Sequence, residues 1–301
     1  MEQKLAKPEW LKIRLDVKDN FSNIKQTIKK HNLHTVCEEA HCPNISECWN
    51  GGTATFMLMG DVCTRGCKFC AVKTGNPMRK LDLEEPKKLA QALAEIKLFD
   101  YVVLTSVNRD DLDDQGSSHF AECIKEIKKA YPEIIVEVLI PDFNGDFEAL
   151  KKIVDANPEV IAHNIETVER LQRKVRDVRA NYKQSLGVLE NVKKLNPKIY
   201  TKSSIMVGLG EIDGEVIQSM KDLREINVDI LTIGQYLRPT DWHLHVDKYI
   251  PPEKFEFYKE KALELGFLFC ASGPFVRSSY KAGELFVKNG ILRKNLNNPE
   301  Q

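Results

Sequence analysis

The sequence has no apolar run near the roughly 18 residues that a membrane-spanning helix needs. Residues 1–8 have no apolar core of the kind found in signal peptides. A transit peptide is rich in arginine and poor in acidic residues. Here an acidic residue, Glu2, comes early, and the first arginine is Arg14. Internal repeats, low-complexity segments and domain linkers are also missing. These absences predict a cytoplasmic protein without a membrane partner.

An excess of charge of either sign is missing as well. Lys and Arg together number 44, and so do Asp and Glu, so the formal net charge is zero. The composition therefore gives no indication of a nucleic-acid partner, and we expect none. The 301 residues, of which 42% are hydrophobic, suffice for one large domain or two small ones.

Cysteine is present and unevenly placed. Six of the eight cysteines lie between Cys37 and Cys70. In a reducing compartment such a cluster favours metal binding over disulfides. Cys123 and Cys270 have apolar sequence neighbours, which predicts buried structural thiols.

Three of these thiols, Cys63, Cys67 and Cys70, share one loop after an apolar run at residues 55–59. A disulfide would leave one thiol over, and a zinc site would need a fourth ligand that the loop lacks. A [4Fe–4S] cluster held by three thiolates keeps an open iron that can bind a substrate. The spacing resembles the signature of radical S-adenosylmethionine (SAM) enzymes, with Phe69 as its aromatic residue. A zinc knuckle or incidental thiols are the alternatives.

The other three clustered thiols, Cys37, Cys42 and Cys48, have the spacing Cys-x4-Cys-x5-Cys. A zinc site could borrow His41 as a fourth ligand. Two four-ligand zinc sites would use all six clustered cysteines and still need two more ligands. Two adjacent sets of three are therefore harder to explain by zinc.

From residue 53 onward, strand-like apolar runs alternate with helical periodicity. This alternation predicts parallel βαβ units, and a further helix (253–265) and strand (267–271) follow. We expect an α/β protein whose residues 53–271 form a partial (β/α)6 TIM-type barrel, with extensions at residues 1–52 and 272–301. A doubly wound sheet has the same local pattern and is the alternative fold. The six predicted strands are residues 55–59, 101–105, 134–140, 160–164, 200–207 and 230–233.

Polar residues follow several of these strands. Ser106 and Asn108 follow the second strand and Glu166 follows the fourth. In parallel α/β folds the carboxyl ends of the strands carry the functional loops, so these side chains are expected to line a ligand cleft. Glu166 alone could be a helix-capping acid. Residues 271–280 could likewise be a turn followed by a helix start with serine caps.

With these residues in hand, the chain resembles the lipoyl synthase family from Trp10 to about Tyr280. Residues 35–40 with Cys42 and Cys48 resemble the family's auxiliary-cluster motif, and Cys63, Cys67 and Cys70 match its radical-cluster motif. Arg277-Ser278-Ser279-Tyr280 matches its terminal signature, and residues 105–111 and 176–182 are further similar stretches.

The resemblance implies two [4Fe–4S] clusters and SAM. Cys63, Cys67 and Cys70 would hold the cluster that cleaves SAM to a 5′-deoxyadenosyl radical. Cys37, Cys42, Cys48 and Ser279 would hold an auxiliary cluster that gives up sulfur, and Ser278 is the fallback ligand. The radical would take hydrogen from an octanoyl chain on a lysine of a lipoyl domain, and sulfur would enter at C6 and C8. Ser106, Asn108, Glu166 and Arg179, with Phe69, are the candidate SAM contacts.

The resemblance also implies partners. They are octanoylated lipoyl-domain proteins, such as 2-oxo acid dehydrogenase acyltransferase subunits and the glycine cleavage H protein, and an electron donor such as ferredoxin or flavodoxin. Competing interpretations are another radical sulfur-inserting enzyme, a radical enzyme with a relay cluster, a ferredoxin-like electron carrier, and a structural zinc protein.

Overall fold

Strands and helices alternate along the chain as the apolar periodicity predicts. A computed structural model describes residues 6–11, 19–39, 42, 44–50, 53–96 and 99–279. His41, Tyr280 and the remaining carboxyl-terminal tail lie outside the described residues. The strands are β1 (His34–Thr35), β2 (Thr55–Leu58), β3 (Val62–Cys63), β4 (Lys73–Thr74), β5 (Tyr101–Ser106), β6 (Ile135–Leu139), β7 (Val160–Ala162), β8 (Tyr200–Val207), β9 (Ile230–Gln235) and β10 (Phe269–Gly273). The α-helices are α1 (Asp19–Lys30), α2 (Val36–Glu39), α3 (Ile45–Asn50), α4 (Glu85–Ile96), α5 (Ser117–Ala130), α6 (Phe147–Asp155), α7 (Gln172–Val175), α8 (Tyr182–Leu195), α9 (Asp213–Glu225) and α10 (Pro252–Glu264), and short 3-10 turns occur at Glu9–Leu11, Phe143–Gly145 and Glu169–Leu171.

The main sheet has eight strands in the order β1-β2-β5-β6-β7-β8-β9-β10. Strand β1 is antiparallel to β2, and all the other neighbours are parallel. A doubly wound sheet reverses its strand order at a switch point, whereas this order follows the chain throughout. The partial TIM-type barrel is therefore confirmed. Its six predicted strands are β2 and β5 to β9, and β10 extends it by a seventh.

The helices cover the outside of the barrel with one apolar face each. Helix α6 is typical: Ala149, Leu150, Ile153 and Val154 are buried at helical spacing. Its start is fixed by Asp146, whose carboxylate accepts hydrogen bonds from the backbone N–H groups of residues 148 and 149 at 2.9 and 3.2 Å. Such capped helices hold the strand ends, and hence the site loops, in place.

A buried polar triad lies among the first residues of the barrel strands. Lys202 Nζ lies 2.7 Å from Glu137 Oε1, and the Tyr101 hydroxyl donates to Glu137 Oε2 at 2.5 Å. Burial of an ion pair is tolerated where further hydrogen bonds satisfy the charges, as the tyrosine does here. A small apolar cluster that includes Val160 and Ile230 packs beside the triad.

The elements before β2 pack against the barrel. Ile24 of α1 and Trp49 of α3 belong to the same apolar cluster as Phe56 of β2. The segment that carries the first cysteine set is therefore anchored to the first barrel strand. Cys123 and Cys270 are buried, as predicted. No helix within the described residues is long and apolar enough to span a membrane.

Candidate active site and metal centres

The carboxyl ends of the barrel strands surround a cavity of about 570 Å³. Cysteines of both sets line it: Cys37 and Cys42 from the first set, and Cys63, Cys67 and Cys70 from the second. Cys48 lies in an adjoining small pocket with Cys37 and Cys42. The structure thus brings together two thiol sets that are separate motifs in the sequence.

The loop with the second thiol set is framed by a two-stranded parallel sheet of β3 and β4. Backbone N–H groups of Arg65 and Asn108 each lie 3.4 Å from Cys63 Sγ, and the Asp177 N–H lies 3.3 Å from Cys67 Sγ. Hydrogen bonds of this kind stabilise negative charge on sulfur. These N–H groups would therefore stabilise Cys63 and Cys67 as thiolate ligands of a bound metal centre.

Burial opposes ionisation of these thiols while no metal is bound. It raises the pKa of Cys67 to about 11 and that of Cys70 to about 12, although backbone hydrogen bonds lower both. The raised pKa values favour the protonated thiol in both groups at neutral pH while no metal is bound. A metal centre that binds here must displace those protons, so its assembly releases acid.

Arg65, inside the same loop, ties the loop to two strand ends. Its guanidinium is buried, bonding to Asp110 after β5 at 2.8 Å and to Asp142 after β6 at 2.7 Å. It also donates to Asn144 Oδ1 at 2.6 Å. Burial alone would raise the pKa of the Asp110 carboxyl, but hydrogen bonds from Arg65 and Thr64 bring it down to about 2. The charged network fixes the loop over the barrel mouth.

Arg179 lies behind this loop and is not among the residues that line the cavity. Its guanidinium donates to the carbonyl of Thr64 at 2.7 Å and to Asp177 at 2.8 Å, and its side chain is 43% exposed. Asp177 in turn accepts the N–H of Gly66 at 2.9 Å. The structure therefore separates Arg179 from the other SAM-contact candidates.

Those other candidates, Phe69, Ser106, Asn108 and Glu166, all line the cavity. Ser106 Oγ is buried and has no hydrogen-bond partner among the described residues. Glu166 has a left-handed backbone, with φ at 66°, which is rare outside glycine and occurs at functional sites. Burial raises the pKa of its carboxyl, while the charge of Arg176 opposes the shift.

Arg176 and His163 are cavity residues that sequence reasoning did not select. Arg176 precedes Arg179 by one short turn, and no sequence signal distinguishes which of the two faces inward. Its guanidinium donates to Ser185 Oγ at 2.8 Å, and His163 Nε2 lies 2.9 Å from the same oxygen. The sequence shows that polar residues follow the fourth predicted strand, which is β7, but it does not show the contact of His163 with Ser185 of α8.

The first thiol set shares its small pocket with residues from the far end of the chain. Cys37 lies on α2, Cys42 follows α2, and Cys48 lies on α3. Arg277 and Ser279 also line this pocket. Ser279 also lines the large cavity, as does Ser278. Burial raises the pKa of Cys37 to about 11 and raises that of Cys42 as well.

The chain matches two protein-family models, one for the barrel and one for the amino-terminal segment. Residues 57–223 match the radical SAM superfamily, and residues 1–42 match the N-terminal domain of lipoyl synthase of the radical SAM family. Two solved structures share the fold: methylornithine synthase (PylB), with a TM-score of 0.53 at 14% identity over 84% of this chain and 70% of that one, and the FeFe-hydrogenase maturase HydG from Carboxydothermus hydrogenoformans, with 0.56 at 15% identity over 90% and 78%.

Curated relatives cover nearly the whole chain. A lipoyl synthase of Halobacterium salinarum is 60% identical over 96% of this chain and 93% of its own length. One from Myxococcus xanthus is 55% identical over 98% and 99%, and the mitochondrial lipoyl synthase of Bos taurus is 54% identical over 97% and 80%. The chain belongs to the lipoyl synthase family of radical SAM enzymes.

Proposed function

We propose that this protein inserts sulfur at C6 and C8 of an octanoyl chain carried on a lysine of a lipoyl domain, and that the sulfur comes from an auxiliary iron–sulfur cluster. The observation that carries the proposal is the single cavity onto which both cysteine sets open. A radical enzyme that only relays electrons through a second cluster has no need to expose both clusters to one substrate space.

The family implies a [4Fe–4S] cluster and SAM, and the described residues fit both groups. Three thiols on one loop match the three-ligand requirement of a cluster with an open iron. Ser106 Oγ and Asn164 Oδ1 are buried in the cavity wall without a partner among the described residues. Buried polar atoms are nearly always hydrogen-bonded, so a polar ligand in the cavity would satisfy them.

When bound, the first cluster and SAM supply a radical able to take hydrogen from an unactivated carbon, and the auxiliary cluster supplies sulfur. The protein's own part is to hold and orient. Cys63, Cys67 and Cys70 would be the thiolate ligands of the first cluster, and the N–H groups on their sulfurs offset the ligand charge. Ser106, Asn108 and Glu166 would then contact the polar groups of SAM.

The remaining lining favours an acyl chain. Apolar side chains from several strand ends and from the carboxyl-terminal turn line the cavity, as they do in most sites that bind apolar ligands. They would hold the chain between the two thiol sets and exclude water from a reactive site. They include Val72, Val107, Leu139, Met206, Leu237 and Phe275.

Cys37, Cys42, Cys48 and Ser279 would hold the auxiliary cluster. Their common pocket supports this assignment. A serine oxygen is a harder ligand than the thiolates that iron–sulfur clusters usually take. A poorly matched ligand suits a cluster that is dismantled as its sulfur is used.

We extend the proposal to the partners and the compartment. Octanoylated lipoyl-domain proteins, including 2-oxo acid dehydrogenase acyltransferase subunits and the glycine cleavage H protein, are the substrates, and ferredoxin or flavodoxin the reductant. The cytoplasmic location stays a prediction, because the relatives include mitochondrial and apicoplast forms.

Replacing each cysteine set by alanine tests the proposal. The variant without Cys63, Cys67 and Cys70 should keep about half the iron and lose SAM cleavage. The variant without Cys37, Cys42 and Cys48 should cleave SAM and insert no sulfur. Iron and sulfide analysis with mass spectrometry of the acyl product measures both. Lipoyl product from the second variant would contradict the auxiliary-cluster role, and zinc in place of iron would favour a structural protein.

A further inference from the structure

The auxiliary pocket is assembled from the two ends of the chain. Ser279 shares its wall with cysteines more than 200 residues away in sequence. Something must hold the turn at residues 273–279 against the amino-terminal segment, because a serine alone is a weak anchor. The contacts of that turn identify which residues do so.

Asn44, between Cys42 and Cys48, reaches directly across. Its side chain is 7% exposed and its Nδ2 donates to the carbonyl of Phe275 at 2.7 Å. The backbone carbonyl of Asn44 meanwhile accepts the N–H of Cys48 at 2.9 Å, which fixes the start of α3. One residue therefore touches both halves of the pocket.

Gly234, on β9, lets the same turn approach the barrel closely. A Cβ at this position would lie 2.1 Å from the carbonyl oxygen of Val276, closer than real contacts allow. The turn is closed on itself by the bond from the Val276 N–H to the Gly273 carbonyl, at 3.1 Å. The turn thus contacts Gly234 of β9 through the Val276 carbonyl and the Asn44 amide through the Phe275 carbonyl.

From this geometry we infer that Asn44 is a positioning residue of the auxiliary centre, which holds the carboxyl-terminal turn so that Ser279 reaches the cluster. The inference rests on the proposed function, because it assumes a cluster on Cys37, Cys42 and Cys48. Asn44 itself is not a ligand. It acts through the backbone of Phe275, four residues before Ser279.

The first test uses the metal-free full-length protein. Asn44→Asp keeps the shape of the side chain but removes the donor, so the turn should detach more often. Trypsin should then cleave after Arg277, which lines the pocket, about five-fold faster, the factor that one hydrogen bond supplies. Asn76→Asp is the matched control, because the Asn76 side chain only accepts a bond, from Met78 N–H, and aspartate can do the same. Equal cleavage rates in Asn44→Asp and the control would overturn the inference.

The second test uses the auxiliary centre alone, in protein whose Cys63, Cys67 and Cys70 are alanine. Asn44→Asp should release iron to a chelator about five-fold faster than this background. In a Ser279→Ala background the same change should have little further effect, since a positioning residue has nothing left to position. If Asn44→Asp speeds iron release by the same factor with Ser279 present and with Ser279→Ala, Asn44 does not act through Ser279, and the inference is overturned.

Gly234→Ala provides a second route if Asn44→Asp folds poorly. Its added methyl group would clash with the Val276 carbonyl and displace the turn without changing the amino-terminal segment, so it should also speed trypsin cleavage after Arg277. Failure of this variant to do so would contradict the seating of the turn described above. A background protein that binds no iron would contradict the proposed function itself, and the inference with it. If the background protein binds iron and Asn44→Asp releases it no faster than that background, the inference alone is contradicted.

Discussion

Ser106 shows how a single residue can be informative before any ligand is seen. Its hydroxyl is buried at the end of β5 and, like Asn164 Oδ1 in the same cavity wall, has no partner among the described residues. An unsatisfied buried hydroxyl lowers the stability of the ligand-free protein. It is therefore better explained by a ligand than by folding.

Ser106→Ala should weaken SAM binding by about five-fold, the loss of one hydrogen bond, and leave the free energy of unfolding of the ligand-free protein unchanged or slightly higher. Equilibrium binding and chemical denaturation measure the two quantities. Ser118→Ala, on the exposed side of α5, is the control for SAM binding. Unchanged SAM affinity would remove Ser106 from the cleft.

Ser279 carries the chemical argument of the auxiliary centre. Ser279→Cys should give an all-thiolate cluster that keeps iron well and yields sulfur poorly, because thiolate is the better-matched ligand. Ser279→Ala should give a cluster that loses iron. Both variants should cleave SAM, and both should form less product. Normal sulfur insertion by Ser279→Cys would show that the hard ligand is irrelevant.

His163 makes stability depend on pH. Its Nδ1 lies 2.9 Å from the Ile140 carbonyl, which can only accept, so Nε2 must accept from the Ser185 hydroxyl. Burial and the charge of Arg176 lower the pKa of this imidazole to about 4, although Asp142 opposes the shift.

Below pH 6.5 the unfolded chain binds a proton that folded His163 refuses, so the free energy of unfolding falls as the pH drops toward 4. Between pH 7.5 and pH 5 this loss is about 2 kcal/mol. Denaturation of metal-free protein should show the loss in the wild type and not in His163→Gln. The same pH dependence in both proteins would contradict a neutral buried His163.

At the scale of elements, the loop at residues 237–250 packs on the second cysteine loop. His243 Nε2 donates to the Cys70 carbonyl at 2.9 Å, and the Leu244 N–H donates to the Lys68 carbonyl at 3.2 Å. The other ring nitrogen of His243 pairs with Thr240 Oγ1 at 2.8 Å. The third thiol is thus placed partly by an element that follows β9.

His243→Phe should therefore loosen Cys70, and iron should leave the first cluster about five-fold faster. His243→Gln, which keeps a donor, should restore most of the retention. A chelator assay in protein without Cys37, Cys42 and Cys48 isolates this cluster, and His245→Gln is the control. Equal release by His243→Phe and the control would show that the contact does not hold the loop.

The elements also show where prediction from sequence ends. The barrel strands were predicted to within two residues at each end, because they are continuous apolar runs between turn signals. The two-residue strands β1, β3 and β4 were not predicted, since so short a pairing leaves no periodicity. The two arginines show the same limit in the site: Arg176 lines the cavity and Arg179 does not, because the path of the chain after α7 decides which of them faces inward.

At the scale of the whole molecule, the cavity lies where an open barrel meets both chain ends. The amino-terminal segment packs on β2, the carboxyl-terminal turn lies over β9, and Asn44 joins them. Cysteines of both thiol sets therefore border one shared space of about 570 Å³. An acyl chain held there can meet a hydrogen-abstracting centre and a sulfur source without leaving.

The central claim is that the protein itself supplies the inserted sulfur. The clusters are assembled with ³⁴S-sulfide and freed of excess label. The protein then reacts with an octanoylated lipoyl domain, SAM and a reductant in medium that contains unlabelled sulfide. Mass spectrometry should find two ³⁴S atoms in the lipoyl product. No lipoyl product should form when Cys37, Cys42 and Cys48 are alanine. Product that carries only unlabelled sulfur would contradict the account.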